Sequence, residues 1–216
     1  MKDRLTPLTI PSRKGRLAIV TGASSGVGTA TARALGLAGA DVIHAVRNLD
    51  KGEAVAEKLR AEHPEGTHSV VELDTSSLAS VEAFAARYAG HHVDILVLNA
   101  GIGGTRKRQE SVDGHELVMA TNYFGHFALT AHLLDSLRLA SRARVVTLGS
   151  LAARAGRIRP DDLDLTRRWS SSRAYSNSKL AMVMFARELQ RRKADTALLA
   201  LCAAGGMGTA LLLERI

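Results

Sequence analysis

RLAIVTGASSGVG, residues 16–28, is the stretch that decides the fold of this chain. Residues 17–20 form a short apolar run with β-branched side chains, which is typical of a buried parallel strand. Gly22, Gly26 and Gly28 follow with the spacing G-x-x-x-G-x-G, and a helix of small residues is predicted for about residues 29–38. Glycines at such a turn allow a tight bend and a close approach of the backbone to a pyrophosphate, which the helix N-terminus attracts. Because the spacing differs from G-x-G-x-x-G, a plain glycine-rich loop explains the turn about as well.

Strand-like and helix-like segments alternate from residue 17 onward, which indicates parallel β-α-β units. The predicted strands span residues 17–20, 41–46, 68–73, 93–98, 144–148 and 197–202, and the predicted helices span residues 29–38, 50–63, 77–88 and 115–138, with one more around Tyr175. Asp50 and Glu53 have the spacing of a capping box at the start of the second helix. A length of 216 residues without repeats or linkers suits one domain.

Composition excludes several classes of protein. Cys202 is the single cysteine, so no internal disulfide forms and a reducing compartment, the cytoplasm, is expected. Residues 1–15 read as an N-terminal extension without a signal-peptide core, and no run approaches the ~18 apolar residues of a membrane span. The net charge of +8 comes from scattered basic residues with only 4% aromatics, so we expect a solvated basic surface and no nucleic acid. The histidines lack metal-ligand spacing, so we expect no metal site and take them as surface or packing residues: His44, His91, His92, His115, His126 and His132.

Tyr175 and Lys179 lie four residues apart in AYSNSKLA, residues 174–181. Two such residues on a helix share one face. A free tyrosine keeps its proton up to a pKa of about 10, and a neighbouring cation favours the deprotonated form, which suits proton transfer near neutral pH. The pair is therefore a candidate proton-transfer device. Tyr-x-x-x-Lys also occurs by chance on many helices, so the pair gains meaning only together with the glycine-rich turn.

The joint order of several short motifs makes this chain resemble the short-chain dehydrogenase/reductase family from about residue 16 onward. These motifs are the glycine-rich turn, Asp74, Asn99-Ala100-Gly101, Asn122, Ser150, Tyr175 and Lys179. Within the family, residues 47–52, 121–127 and 173–176 look most like the retinol-dehydrogenase and WW-domain-oxidoreductase branch. The resemblance implies a single doubly wound, Rossmann-type α/β domain of three αβα layers, with a parallel sheet of strand order 3-2-1-4-5-6.

The resemblance also implies an oxidoreductase that transfers a hydride between NADP(H) and the carbonyl or alcohol group of a small, fairly apolar substrate. Tyr175 would exchange a proton with the substrate oxygen, and Lys179 would support Tyr175 and bind the nicotinamide ribose. Ser150 would donate a hydrogen bond to the substrate oxygen, and Asn122 would hold a water that links Lys179 to solvent. The expected coenzyme-binding residues are Gly22, Ser24, Ser25, Gly26, Val27, Gly28, Arg47, Asn48, Asp74, Thr75, Asn99, Ala100, Gly101, Tyr175 and Lys179.

The end of the second predicted strand favours NADP over NAD. In dinucleotide-binding folds a carboxylate about 20 residues after the glycine turn bonds the ribose 2′-hydroxyl, whereas an arginine accommodates a 2′-phosphate. Here the strand runs into Arg47 and Asn48 without a carboxylate, and Arg47 can hold a phosphate through two parallel hydrogen bonds. A solvated arginine is the alternative interpretation.

Structural roles explain some of these residues equally well. Ser150 follows Gly149, where the family more often has a second serine, and an ordinary strand-end hydroxyl would fit there. Asn122 would tie a helix to a strand, Asn99 would brace the sheet, and Asp74 would cap the next helix. One rival function is a nicotinamide-binding sensor or scaffold without turnover, which would need a broken catalytic tetrad. The other is an epimerase or dehydratase of the family's extended branch, which usually has a G-x-x-G-x-x-G turn and a longer C-terminal domain.

The C-terminal part departs from the family pattern. Relatives usually have a Pro-Gly pair, a substrate-covering loop and a seventh strand after the sixth, whereas this chain has LCAAGGMGT at residues 201–209, with Ala204 at the proline position. We therefore expect the seventh strand and the substrate lid to be missing, with residues 203–216 a truncated or incomplete substrate-loop region. The sixth strand would then be a bare apolar edge. We expect further chain carrying a lid to cover it, with a partner subunit of a homo-oligomer as the less favoured cover.

Overall fold

β1 (Leu17–Thr21) is an interior strand, the third in order of a seven-stranded sheet, and its residues from Ala18 onward are buried. The other strands are β2 (Asp41–Val46), β3 (His68–Glu72), β4 (Ile95–Leu98), β5 (Arg144–Ser150), β6 (Thr196–Cys202) and β7 (Gly208–Glu214). Their order is β3-β2-β1-β4-β5-β6-β7, and neighbouring strands from β3 to β6 are parallel. The predicted doubly wound α/β fold with strand order 3-2-1-4-5-6 is confirmed.

These features come from a computed structural model that describes residues 10–62, 66–191, 196–202 and 208–214, with side chains described up to residue 191. Several sequence-based expectations lie outside the described residues. They concern the first nine residues of the N-terminal extension, the end of the second predicted helix at His63, the side chain of Cys202, and the region after it at residues 203–207 and 215–216.

Helices cover both faces of the sheet and complete the three layers. They are α1 (Gly26–Leu37), α2 (Leu49–Glu62), α3 (Leu78–Ala86), α4 (Leu117–Met119), α5 (Gly125–His132), α6 (Leu134–Leu139) and α7 (Ser171–Arg191). Successive side chains of a strand point to opposite faces, so Ile19 joins a core with α3, α5 and α7, whereas Val20 joins a second core with α1 and α2. Within the described part of the chain, no helix is both long and apolar enough to cross a membrane.

The helix predicted over residues 115–138 is interrupted, so that prediction is wrong in its extent. After the short α4, residues Ala120–Phe124 form a π-helical turn, and α5 follows at once. A second interruption at Leu133, with φ −88° and ψ 4°, separates α5 from α6. π-Helical turns are rare and often lie at functional sites, and this one contains Asn122.

The start of α2 also differs from the prediction. The helix begins at Leu49, and the side-chain oxygen of Asn48 accepts a hydrogen bond of 2.8 Å from the backbone N–H of Lys51. Asn48 is therefore the capping residue, and the predicted capping box of Asp50 and Glu53 is wrong. Asp50 lies inside the first turn, where its charge still favours the positive end of the helix dipole.

The seventh strand is present, contrary to the expectation from the sequence. β7 pairs with β6 in the antiparallel direction along its whole length, from Thr196 opposite Glu214 to Cys202 opposite Gly208. Antiparallel strands need only a short connection, whereas another parallel strand would need a crossover of a dozen or more residues. The edge of β6 is therefore paired with a later segment of the same chain and is not bare.

Candidate functional site

The glycine-rich turn after β1 packs so tightly against the segment after β4 that side chains do not fit. Gly22 has a φ of +66°, and a Cβ there would lie 2.8 Å from the Cα of Ala100. A Cβ on Gly28 would lie 2.5 Å from the side-chain nitrogen of Asn99 and would also meet the Gly22 carbonyl. The turn therefore needs glycine at both positions, and its backbone lies against the ends of two strands.

Hydrogen bonds that Thr21 accepts join the carboxyl ends of β1 and β4. The Thr21 hydroxyl oxygen accepts from the backbone N–H groups of Asn99 and Ala100, both at 2.9 Å. The Asn99 side chain donates to the Thr21 carbonyl oxygen at 2.8 Å. The sheet-bracing role considered for Asn99 is thus present in the structure, and it fixes the segment that faces the glycine turn.

A cleft of about 560 Å³ opens where β1 to β5 end. Ligands of open α/β sheets bind outside the carboxyl ends of the strands, and this volume lies in the usual range for small-molecule sites. Every expected coenzyme-binding residue lines the cleft except Gly28, whose place is in the packing of the turn: Gly22, Ser24, Ser25, Gly26, Val27, Arg47, Asn48, Asp74, Thr75, Asn99, Ala100, Gly101, Tyr175 and Lys179.

Sequence reasoning missed seven further residues of the cleft wall: Lys51, Leu73, Ile102, Gly103, Thr121, Leu148 and Gly149. Four of them directly precede or follow an expected site residue, and Gly103 and Leu148 lie two positions from one, so closeness in the sequence could have found them. Lys51 lies one helical turn beyond Arg47, and with Arg47 it puts two exposed cations at the end of the cleft formed by β2 and α2.

Asp74 forms a local turn after β3 and does not cap the next helix. Its carboxylate accepts from the backbone N–H and the hydroxyl of Ser76 at 2.8 and 2.6 Å. The cap of α3 is Ser77, whose hydroxyl accepts from the backbone N–H of Ser80. The capping role considered for Asp74 is therefore absent, and Asp74 lies at the cleft wall.

Tyr175 and Lys179 lie on α7 at the end of the cleft formed by β4 and β5. The ammonium nitrogen of Lys179 donates to the carbonyl oxygen of Leu148 at 2.9 Å and lies 5.8 Å from the centre of the Tyr175 ring. Tyr175 packs against a small buried apolar cluster that Ile102 and Trp169 also contact. An apolar wall therefore stands next to the phenol.

Ser150 and Asn122 lie beside the cleft but do not line it. The Ser150 hydroxyl oxygen accepts from the backbone N–H of Ala152 at 3.2 Å and caps a short 3-10 helix, Leu151–Ala155. The Asn122 side chain accepts from the backbone N–H of Ile102 at 2.8 Å, and donates to the Ile102 carbonyl at 3.1 Å and to the Ser178 hydroxyl at 3.0 Å. The tying role considered for Asn122 is thus present: it joins the cleft wall to α7.

Two of the histidines are fully buried and hydrogen-bonded. Burial lowers the pKa of His126 to about 4, against an opposing hydrogen bond to the Asn122 carbonyl. Burial, and then the charge of His68, lower the pKa of His44 to about 4. Among the described residues, no group of three or more histidine, cysteine or acidic side chains is placed to hold a metal ion.

Comparison with protein families gives a match over nearly the whole chain. A family model described as short chain dehydrogenase matches residues 16–214. The chain is 40% identical to retinol dehydrogenase 13 of Homo sapiens over 198 residues, which are 89% of this chain and 60% of that protein. It is 39% identical to polyprenol dehydrogenase of Mus musculus over 197 residues, 88% of this chain and 58% of that protein. The chain thus spans about 60% of the length of these curated relatives.

Solved structures give similar matches. A crystal structure of an uncharacterized protein from Mycobacterium Paratuberculosis is 45% identical, with a TM-score of 0.76 over 84% of this chain and 64% of that one. RhlG of Pseudomonas aeruginosa, in an active-site complex with NADP, is 30% identical, with a TM-score of 0.66 over 84% of this chain and 67% of that one. A metagenomic short-chain oxidoreductase in complex with NADP is 27% identical, with a TM-score of 0.67 over 89% and 83%.

Proposed function

The chain belongs to the short-chain dehydrogenase/reductase family, and from this premise we propose that it transfers a hydride between NADP(H) and the carbonyl or alcohol group of a small, fairly apolar substrate. The observation that carries the proposal is the shared cleft, since it joins the glycine-rich turn at Gly22 to Tyr175 and Lys179 on α7. One wall is thus suited to phosphates, and another to proton transfer.

The cleft offers each part of a dinucleotide a fitting surface. The pyrophosphate would lie over the turn at Gly22–Gly26, where Gly26 faces open space and the N-terminus of α1 attracts negative charge. The 2′-phosphate of NADP would lie between Arg47 and Lys51, which are exposed at the same end of the cleft. Complexes of two related proteins with NADP support this choice of coenzyme.

The bound coenzyme supplies or accepts the hydride, and the protein handles the proton. In the reducing direction, the phenol of Tyr175 donates its proton to the carbonyl oxygen, and in the oxidising direction the phenolate takes the proton of the alcohol. The ammonium nitrogen of Lys179 lies 5.8 Å from the centre of the Tyr175 ring, where it would support Tyr175. The Ser150 oxygen accepts a backbone hydrogen bond, so its hydroxyl hydrogen can point to the substrate oxygen.

The surroundings of Tyr175 favour an apolar substrate. Ile102 and Trp169 pack against the same apolar cluster as Tyr175, and the indole N–H of Trp169 donates to the buried carboxylate of Glu116 at 3.2 Å. An apolar group next to the reacting carbon would pack against this wall. The water expected between Asn122 and Lys179 would lie beside the backbone carbonyl of Asn122, which is 3.0 Å from Nδ1 of His126.

A panel of alcohols and carbonyl compounds, assayed with NADPH, NADP, NADH and NAD by nicotinamide absorbance, tests the proposal. Tyr175→Phe should lower turnover by about 10² to 10⁴-fold, the range of general acid–base catalysis, while coenzyme affinity changes little. The matched control is Tyr123→Phe, which removes a hydroxyl from a half-buried ring away from the cleft wall. Substantial turnover in the Tyr175→Phe enzyme would contradict the proposed proton donor, and coenzyme binding without turnover of any compound would favour the sensor or scaffold.

The cytoplasmic location and the homo-oligomer stay predictions. Cell fractionation checks the first, and sedimentation of the purified chain checks the second. The single-domain organisation also stays a prediction, and one cooperative unfolding transition of the chain would support it.

A further inference from the structure

His126 is a buried histidine whose two ring nitrogens contact two residues that hold segments of the cleft wall. Its Nδ1 lies 3.0 Å from the carbonyl oxygen of Asn122, and its Nε2 lies 2.9 Å from the hydroxyl oxygen of Thr21. Thr21 directly precedes the glycine-rich turn, and Asn122 lies in the π-helical turn next to α5. The ring therefore bridges the end of β1 and the helix that carries Asn122.

The partners determine which ring nitrogen carries the proton. A carbonyl oxygen can only accept, so Nδ1 must donate to Asn122. In a neutral ring Nε2 is then bare and accepts the hydroxyl hydrogen of Thr21. The other acceptor near that hydroxyl, the carbonyl of Val97, is farther away at 3.2 Å and already accepts from the backbone N–H of Asn99.

This arrangement leaves the Thr21 oxygen free to hold the segment that faces the coenzyme cleft. Its two lone pairs accept the backbone N–H groups of Asn99 and Ala100. A proton on Nε2 would bring a third donor to the same oxygen, which has no lone pair left for it. The hydroxyl would have to turn, and one of the two backbone bonds would weaken. The neutral Nδ1–H form of His126 is thus the form that fits.

Gly125 explains how His126 comes so close to the cleft. A Cβ on Gly125 would meet the backbone of Thr75, a residue of the cleft wall. Glycine therefore lets α5 lie directly against the segment after β3, and the next residue, His126, points inward with no solvent exposure. The charge of Lys179 is near enough to oppose protonation of the ring.

We propose that His126 is a positioning residue for the coenzyme site, which in its Nδ1–H form orients the Thr21 hydroxyl and thereby the Asn99–Ala100 backbone. The inference rests on the proposed function, because it assigns His126 a part in NADPH binding. It acts through Thr21 and contacts neither coenzyme nor substrate.

The first test is the proton position, which nitrogen NMR of the ¹⁵N-histidine-labelled full chain reports without any activity. In the wild-type chain we expect a protonated Nδ1 and an unprotonated Nε2. The Nε2 resonance should shift in Thr21→Val and stay near its wild-type value in Thr21→Ser. A proton on Nε2 in the wild-type chain would overturn the hydrogen-bond arrangement, whatever the variants do.

The second test is titration with NADPH of variants at both ends of the bond. His126→Asn keeps a donor toward Asn122 and loses the acceptor for Thr21, so its affinity should fall about fivefold to tenfold, as for one lost hydrogen bond. Thr21→Val should weaken binding at least as much, and adding His126→Asn to it should cost little more. Thr21→Ser should restore affinity. The control is His132→Asn, an exposed histidine on the same helix.

The outcomes separate the two proposals. If the losses of NADPH affinity in His126→Asn and Thr21→Val multiply in the double variant, the two residues act independently. That result would overturn the positioning role of His126. A wild-type chain that binds no nicotinamide coenzyme would overturn the proposed function and this role together, while the proton position would still be decided by NMR.

Discussion

Lowering the pH from 7 to 4 should destabilise the folded chain chiefly through two buried histidines. His44 on β2 has no solvent exposure, and its Nε2 lies 2.8 Å from Nδ1 of His68 on β3. Burial is the main reason for its pKa of about 4, and the charge of His68 adds to it. The pKa of His126 is also about 4, because burial outweighs the hydrogen bond to Asn122. Both rings are therefore neutral in the folded chain at neutral pH.

The sign follows from the difference between the folded and the unfolded chain. An unfolded histidine binds its proton below about pH 6.5, whereas the folded His44 and His126 bind theirs only near pH 4. Their contribution to stability is therefore complete above pH 6.5 and is lost as the pH falls toward 4. At about 1.36 kcal/mol for each pH unit, each histidine accounts for about 3 kcal/mol by pH 4. Two such losses are comparable with the whole stability of about 5–15 kcal/mol of a typical domain.

Urea unfolding followed by circular dichroism at pH 7, 6, 5 and 4.5 measures this dependence. His44→Gln, which replaces the ring with a neutral amide, should remove about half of the loss in the free energy of unfolding below pH 6.5. His132→Gln is the control, since His132 is exposed and should leave the curve unchanged. A free energy of unfolding that stays constant within about 1 kcal/mol between pH 7 and 4.5 would refute the reasoning, because titration of buried histidines must lower it.

Three substitutions test other parts of the structure. Arg47→Asp should weaken NADPH binding by about 2–3 kcal/mol, since an ionic hydrogen bond is lost and repulsion is added, and should leave NADH binding nearly unchanged. Calorimetric titration with both coenzymes measures this difference, and equal losses of affinity for the two would contradict the role of Arg47. Gly28→Ala should cost about 1–3 kcal/mol of stability, because the added Cβ would overpack against Asn99. The control Gly103→Ala should leave stability unchanged, because a Cβ there meets nothing within 4 Å. Equal melting temperatures for the two variants would contradict the close packing at Gly28. Asp94→Asn should lower the free energy of unfolding in urea by about 1–3 kcal/mol, because the buried carboxylate accepts from Arg16 at 2.6 Å and from a backbone N–H at 3.0 Å. A loss below about 0.5 kcal/mol would contradict a stabilising role of these two hydrogen bonds.

The sequence was sufficient to predict the sheet and most of the cleft, because those features depend on local patterns. Parallel strands buried on both faces read as continuous apolar runs, as in β1 and β4. Residues that follow such strands meet at one edge of the sheet, so Gly22, Asn99 and their neighbours were placed together by their position alone. The terminal turns of the helices were less predictable, since Asn48 and Asp50 are both good capping residues and only the observed backbone distinguishes them.

The features that sequence reasoning missed depend on contacts between distant segments. The π-helical turn arises where Asn122 bonds to the backbone of Ile102, and no local pattern encodes that contact. The sequence predicts only a surface or packing role for His126, because one of its partners lies in another element and the other lies one turn away. The strand β7 was missed because a family pattern predicted a different connection there, although residues 210–213 are apolar enough for a strand.

The interior position of β1 in the sheet affects the chain while the ribosome makes it. Synthesis proceeds from the N-terminus at about 5–20 residues per second, and β1 is made first, yet one of its two neighbours, β4, follows only after β2 and β3. For several seconds the nascent chain therefore exposes one unpaired edge of this interior strand, which chaperones recognise and other nascent chains can join. Coenzyme cannot relieve this exposure early, because the cleft is complete only after Lys179 has been made. The yield of folded protein should therefore depend more on chaperone supply than on cofactor supply.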